Sequence, residues 1–308
     1  MPDLRTDLGK LKLKNPVMTA SGTFGYGGEY TEYFDISRLG AVVVKGVSSF
    51  PWEGNLTPRV AETSSGMLNA IGLQNPGVKK FLHNPEYMPF LKKSGATIVV
   101  NIWGRSIEEY CEVAAKLEAE KDGIAALEIN ISCPNIKAGG IAFGTDITLL
   151  SRVVSEIRKQ TKLPLITKLS PNVSNIADFA KAAEDSGSDM ISLINTLPGM
   201  AIDIETRRPK IANVKGGLSG PAIKPVAVRM VYDASKAVKI PVIGMGGISN
   251  ASDAIEFFLA GAKAIAVGTA IFADPLAPIK VIEGIDAYLE RHGCKSIGDI
   301  VGKMEAVK

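Results

Sequence analysis

Eight short apolar, β-branched runs, with helical segments between them, constrain this chain more than any other feature of its sequence. They fall at residues 17–20, 41–44, 97–102, 126–131, 165–169, 190–194, 241–245 and 264–267. Each is nearly continuous in hydrophobicity, the pattern of strands covered on both faces of a parallel sheet. The segments at 107–121, 147–160, 175–186, 223–237, 251–259 and 276–291 instead carry apolar residues at helical spacing. Eight βα units predict an α/β fold, a TIM (β/α)8 barrel, with all 308 residues in one domain. Ahead of the first unit, residues 4–14 alternate around Gly9-Lys10, which predicts an N-terminal hairpin plugging the barrel bottom.

Three connections, roughly 47–95, 134–146 and 197–220, are longer than a barrel needs. All follow strands, so they are expected on the catalytic face as lids and pocket walls. Composition narrows the partners. Hydrophobic residues at 46% and charged residues at 22% describe a soluble globular enzyme. A net charge of +3 from scattered lysines and arginines gives no basic stripe, so nucleic acid is not expected. Met1-Pro-Asp-Leu-Arg is polar and no apolar run approaches the ~20 residues of a spanning helix, so no membrane anchor is expected. Three scattered cysteines, Cys111, Cys133 and Cys294, make no disulfide framework and favour a reducing, cytoplasmic setting. His83 and His292 stand apart from any cysteine or carboxylate cluster, and no metal site is expected.

A barrel keeps its chemistry at the C-terminal strand ends, and here those ends are polar. In order they are Ser21-Gly22, Lys45-Gly46, Asn101, Asn130 with Cys133, Lys168, Asn195-Thr196, Gly246-Gly247 and Gly268-Thr269. A lone free cysteine is most often a small buried hydrophobe. The flanking Pro134, the amides Asn130 and Asn135 and the Gly139-Gly140 pair tilt Cys133 toward chemistry. With no histidine beside it in sequence, it suits a proton-transfer base better than a protease nucleophile. One lysine ending a strand could snorkel to the surface. Two of them, Lys45 and Lys168, aimed into one cup suit an anionic, electron-accepting ring or an acidic substrate. The glycines after strands seven and eight suit a phosphate. Ser249 stands where the last glycine of a dinucleotide fingerprint would fall, which points to a mononucleotide such as FMN. The loop Asn69-Ala-Ile-Gly-Leu-Gln-Asn-Pro-Gly adds amides and backbone N–H groups that could read a flat heterocycle, together with Asn130, Asn135 and Asn195.

Several of these stretches stand in series as longer motifs. They are Ala20-Ser-Gly-Thr-Phe-Gly, Arg59-Val-Ala-Glu-Thr with Ser65-Gly-Met-Leu-Asn-Ala-Ile-Gly-Leu-Gln-Asn-Pro-Gly, Asn130-Ile-Ser-Cys-Pro-Asn, Gly217-Leu-Ser-Gly-Pro-Ala-Ile-Lys-Pro and Ile243-Gly-Met-Gly-Gly-Ile. In them the chain resembles the dihydroorotate dehydrogenase family over nearly its whole length, and within it the class 1B catalytic subunits. The resemblance implies an FMN barrel, one FMN per chain, that oxidises (S)-dihydroorotate to orotate in pyrimidine synthesis. Cys133 matches the family's base, which takes a proton from C5 while a hydride leaves C6 for flavin N5. By the same pattern Ser21, Lys45, Gly46, Asn101, Asn130, Lys168, Ile194, Gly220, Gly246, Gly247, Gly268 and Thr269 contact FMN. Lys45, Asn69, Ala70, Ile71, Gly72, Leu73, Asn130, Asn135, Asn195 and Thr196 hold the substrate.

Class 1B further implies a catalytic homodimer within a heterotetramer, whose second subunit carries FAD and a 2Fe–2S cluster and passes electrons to NAD+. Lys137-Ala-Gly-Gly and Ala142-Phe-Gly-Thr-Asp resemble 1B rather than the fumarate-linked class 1A. Other readings stay open on the residues alone. One is a tRNA-dihydrouridine synthase, against which the missing basic surface argues. The others are the related dihydropyrimidine dehydrogenase domain and a non-catalytic barrel that binds a phosphorylated metabolite.

Overall fold

The computed structural model describes residues 2–131, 137–138 and 141–305, with residues 137, 138 and 141–143 described through the backbone alone. All eight apolar runs are strands: β1 Val17–Thr19, β2 Val42–Val43, β3 Ile98–Ile102, β4 Ile124–Asn130, β5 Leu165–Lys168, β6 Met190–Leu193, β7 Val242–Met245 and β8 Ala264–Val267. They pair in the order β1-β8-β7-β6-β5-β4-β3-β2, every pair parallel. A parallel bridge between Met18 and Ala41 joins β1 to the start of the second run, where the Thr19 N–H donates to the Ala41 carbonyl at 3.2 Å. The ring is thus the expected barrel. Strand β4 begins at Ile124, two residues ahead of the expected boundary, and most other runs are trimmed by a residue at an end.

Alternation along the strands separates two cores, because successive side chains leave a strand on opposite faces. Val17, Val42, Ile98, Leu127, Leu165, Ile191, Val242 and Ile265 pack outward among the helices. Met18, Val43, Val99, Ala126, Ile166, Met190, Ile243 and Ala264 point inward and share a cluster with Leu8, Leu11 and Leu13. Those three leucines belong to the hairpin Thr6–Leu8/Leu11–Leu13, whose turn uses Gly9 at φ 75°. The hairpin therefore closes the barrel bottom as expected. Each fully buried leucine contributes roughly 1.5–3 kcal/mol.

The outer helices are α1 Val78–His83, α2 Met88–Ser94, α3 Ile107–Ala119, α4 Ile147–Gln160, α5 Ile176–Asp185, α6 Lys224–Ala237, α7 Ala251–Leu259, the single turn α8 Ala270–Ala273, and α9 Ala277–Arg291. Asn175, expected inside α5, is instead its N-cap, its side chain accepting from the Ala177 N–H at 3.2 Å. Short polar side chains satisfy exposed first-turn donors better than they extend a helix.

Two of the long connections are more ordered than their sequence suggested. Residues 47–95 contain α1, α2 and the strands Val60–Thr63 and Gly66–Asn69, while residues 197–220 contain Leu197–Met200 and Lys215–Ser219. These four strands form one antiparallel sheet, with Lys215–Ser219 paired to Gly66–Asn69 at its centre. The strands are short and mostly only partly buried, and the central pairing that joins the two halves of the sheet spans about 150 residues, so no local apolar run marks them. In the third connection, residues 137–138 pair with 141–142, and the rest of residues 132–140 lies outside the described residues.

Candidate active site at the barrel mouth

The inward parity that builds the lower core continues up each strand and changes chemistry there. Val43 is followed two residues on by Lys45, Val99 by Asn101, Ala126 by Glu128 and then Asn130, Ile166 by Lys168, and Met190 by Ser192. A polar layer thus sits directly on an apolar one. Across it the Asn101 Nδ2 donates to Glu128 Oε2 at 2.6 Å, and the Ser192 hydroxyl donates to Glu128 Oε1 at 2.8 Å. All three side chains are buried, Asn101 and Ser192 completely. Lys168, 5% exposed, donates from Nζ to Ser21 Oγ at 3.1 Å, joining β5 to the end of β1. Asn195 Nδ2 lies 3.4 Å from Asn130 Oδ1, and the Tyr110 hydroxyl of α3 donates to the Asn130 carbonyl at 2.7 Å. The Lys45 ammonium is held below the usual lysine range, first by burial and then by the Arg59 guanidinium.

Glycines shape the opposite side of the mouth. Gly246 and Gly247 adopt φ 125° and 81°. A Cβ on Gly246 would lie 2.9 Å from Ala227 Cβ and 3.2 Å from Ile194 Cγ1, and one on Gly247 would lie 2.8 Å from the Gly220 carbonyl oxygen. Among the described residues, none accepts a hydrogen bond from the N–H of Gly246 or Gly247. Thr269 donates its hydroxyl to Ser219 Oγ at 2.8 Å, and a Cβ on Gly268 would come within 3.2 Å of Ala20 Cβ.

The structure therefore brings together Ser21, Lys168, Asn130 and Asn195, and separately Gly46 with Asn101, Gly246 with Ile194, and Gly247 with Gly220. The four-stranded sheet sets Asn69 near Thr196, since Asn69 Nδ2 reaches the Gly217 carbonyl at 3.4 Å and a Cβ on Gly217 would collide with Thr196 Oγ1. Residues 70–73 are held elsewhere. Ala70 and Ile71 pair with Asn55 and Arg59, and Leu73 accepts from Asn75, so no described hydrogen bond ties them to the strand ends. Cys133 and Asn135 lie outside the described residues.

Sequence reasoning missed Glu128 and Ser192 as members of the site. A glutamate inside the apolar run 126–131 was the available signal. Two buried polar atoms also lack a partner among the described residues and border Gly46: Asn101 Oδ1 and Trp103 Nε1. His83 pairs with Glu120 at the surface and His292 stacks on Tyr288. No group of three or more His, Cys, Asp or Glu among the described residues could hold a metal ion.

The model of the dihydroorotate dehydrogenase family matches residues 3–289 of this sequence. The chain belongs to the dihydroorotate dehydrogenase family. It is 56% identical over 303 residues to the dihydroorotate dehydrogenase B (NAD(+)), catalytic subunit, of Alkaliphilus metalliredigens, covering 98% of this chain and 99% of that one. The protein of the same name from Bacteroides fragilis is 55% identical over 305 residues, covering 99% of this chain and all of that one. That of Geotalea uraniireducens is 54% identical, covering 98% of each. The polar layer, the glycine mouth and the hairpin plug are thus features of a dihydroorotate dehydrogenase family barrel.

Proposed function

We propose that this chain, as one domain over residues 1–308, is the catalytic subunit of an NAD-linked dihydroorotate dehydrogenase that oxidises (S)-dihydroorotate to orotate in pyrimidine synthesis. The observation that carries the reading is identity at more than half of the positions, over 98–99% of the chain, to relatives bearing that name. The cup suits FMN, a flat ring with donors and acceptors joined to a phosphate. Among the described residues Asn101 offers a buried acceptor without a partner and the Gly246 and Gly247 N–H groups meet no acceptor, while Lys168 stands in the wall and the glycine mouth has no room for a side chain. Ser21, Lys45, Gly46, Asn101, Asn130, Lys168, Ile194, Gly220, Gly246, Gly247, Gly268 and Thr269 would hold it. Bound FMN supplies the acceptor for the hydride that leaves substrate C6.

The protein's own work is binding, charge placement and one proton transfer. Lys45 with Asn69 through Leu73, Asn130, Asn135, Asn195 and Thr196 holds the substrate, the lysine meeting the carboxylate and the amides reading the ring edge. The Cys133 thiolate takes the proton from C5. Electrons leave through a second subunit. A 2Fe–2S cluster needs four ligands, and three scattered cysteines cannot supply them, so FAD and the cluster belong to a partner around a catalytic homodimer. The exposed Met200, Ile202, Ile204 and Val214 on the arm beyond β6 support such a docking role. The described residues include no helix long and apolar enough to cross a membrane, and we place the enzyme in the cytoplasm.

Anaerobic titration of the purified chain with dihydroorotate tests the reading. Bleaching of oxidised flavin bands without any added protein is the expected result. A yellow protein that stays yellow, or a colourless one that takes up no FMN, refutes it.

A further inference from the structure

We propose that Glu128 is a positioning residue that fixes which way the Asn101 amide faces, so that the barrel mouth presents an acceptor, not a donor, to the bound cofactor. The inference rests on the reading of this mouth as an FMN site. A primary amide has two ends of nearly equal size and opposite polarity, and only its partners decide which end points where. A carboxylate offers acceptors alone. At Glu128, Oε1 receives the Ser192 hydroxyl and Oε2 receives Asn101 Nδ2 at 2.6 Å, short as charge-assisted bonds are. Turning Asn101 over would press its carbonyl oxygen against a carboxylate oxygen and strand its N–H groups.

The consequence appears at the other end of the amide. Asn101 Oδ1 is buried and has no partner among the described residues. It borders Gly46, where a Cβ would stand only 2.8 Å from it. A buried acceptor without a donor is costly, so the site is complete only when a ligand brings an N–H or O–H to it. Glu128 touches no ligand in this scheme. It acts through Asn101, its register partner on the neighbouring strand.

A polarity exchange tests this. Asn101→Asp alone opposes two carboxylates. Adding Glu128→Gln restores the pair in reverse: the new glutamine amide donates to the new aspartate while its oxygen still accepts from Ser192, and the outer oxygen of that aspartate remains an acceptor. The readout is the dissociation constant of FMN from apoprotein, followed by flavin fluorescence, with thermal unfolding of each apoprotein alongside. We expect N101D to bind FMN at least about tenfold more weakly and N101D/E128Q to return to within about threefold of wild type. If N101D fails to fold, the double variant alone decides, since it must both fold and bind FMN within that range. A double variant no better than N101D, or additive losses, overturns the inference while leaving the FMN site standing. Wild-type apoprotein that takes up no FMN overturns both.

Discussion

Replacing Gly246 by alanine joins the fold and the mouth in one measurement. At φ 125° a residue with a Cβ is held far from its favoured conformations, at a cost of about 1–3 kcal/mol. The new methyl would also stand 2.9 Å from Ala227 Cβ, against an optimum of about 3.5–4.0 Å between carbons. Ala227 in α6 and Ile194 just beyond β6, whose Cγ1 would stand 3.2 Å away, are both buried, and overpacking of this kind adds about 1–3 kcal/mol. The total is about 2–6 kcal/mol. Unfolding entropy of about 2.1 cal/mol/K per residue over 308 residues is about 0.65 kcal/mol/K, so Tm should fall by about 3–9 °C. Gly9→Ala is the control, because Gly9 sits at φ 75° with no atom within 4 Å of a built Cβ and far below the mouth. It carries only backbone strain, about 1–2 kcal/mol or about 2–3 °C. Calorimetry of the apoproteins gives the two Tm values, and flavin absorbance after FMN reconstitution gives cofactor uptake. Gly246→Ala should lose both stability and uptake, and Gly9→Ala only a little stability. If Gly246→Ala melted no lower than Gly9→Ala and held FMN as tightly as wild type, the close packing of the mouth against α6 would be wrong.

Three further outcomes are expected. Leu11→Ala, which empties part of the buried plug, should cost about 2–5 kcal/mol in denaturant unfolding yet leave FMN affinity unchanged, and a loss of FMN would show that bottom and mouth are coupled. Cys133→Ala should lower turnover roughly 10²–10⁴-fold with FMN retained, and wild-type activity should climb toward alkaline pH because an ordinary thiol has pKa about 8.5; a flat profile would count against a thiol base in the slow step. Burial and Arg59 depress the Lys45 pKa, so the unfolded chain binds more protons in the window between the depressed value and the ordinary lysine value. Apoprotein stability from this group therefore rises with pH across that window, while orotate affinity falls through it as the ammonium is lost. Arg59→Ala should move the fall in affinity to higher pH, and an orotate titration that ignores both pH and Arg59 would refute Lys45 as the carboxylate's partner.

The barrel was legible because each of its strands announces itself locally, as an apolar run whose period and length leave little choice. The same holds for the hairpin, where Leu8, Leu11 and Leu13 alternate about a glycine turn. The polar cup followed from strand ends alone, since Lys45, Asn101 and Lys168 each close an apolar run. Other features were hidden. Glu128 lay inside a run already assigned to core, and its purpose shows only when Asn101 and Ser192 arrive from strands 27 residues before and 64 residues after it. The sheet that walls the mouth was unreadable for a similar reason, because the hairpin Val60–Thr63/Gly66–Asn69 joins Lys215–Ser219 only through a pairing about 150 residues distant. Asn175 was placed in a helix because apolar periodicity does not reveal where the first free N–H groups need an acceptor.

That sheet has a consequence for how the enzyme is made. Hydrogen bonds between Gly66–Asn69 and Lys215–Ser219 join stretches that leave the ribosome far apart in time. A nascent chain that has emerged only as far as α5 holds five barrel strands but an unpaired edge where the wall of the mouth should be. The catalytic face is thus among the last parts to be completed, since its wall waits for Ser219 and its glycines for Gly246, Gly247 and Gly268, and a flavin or substrate arriving early meets an open sheet whose floor also still lacks Met190, Ile243 and Ala264.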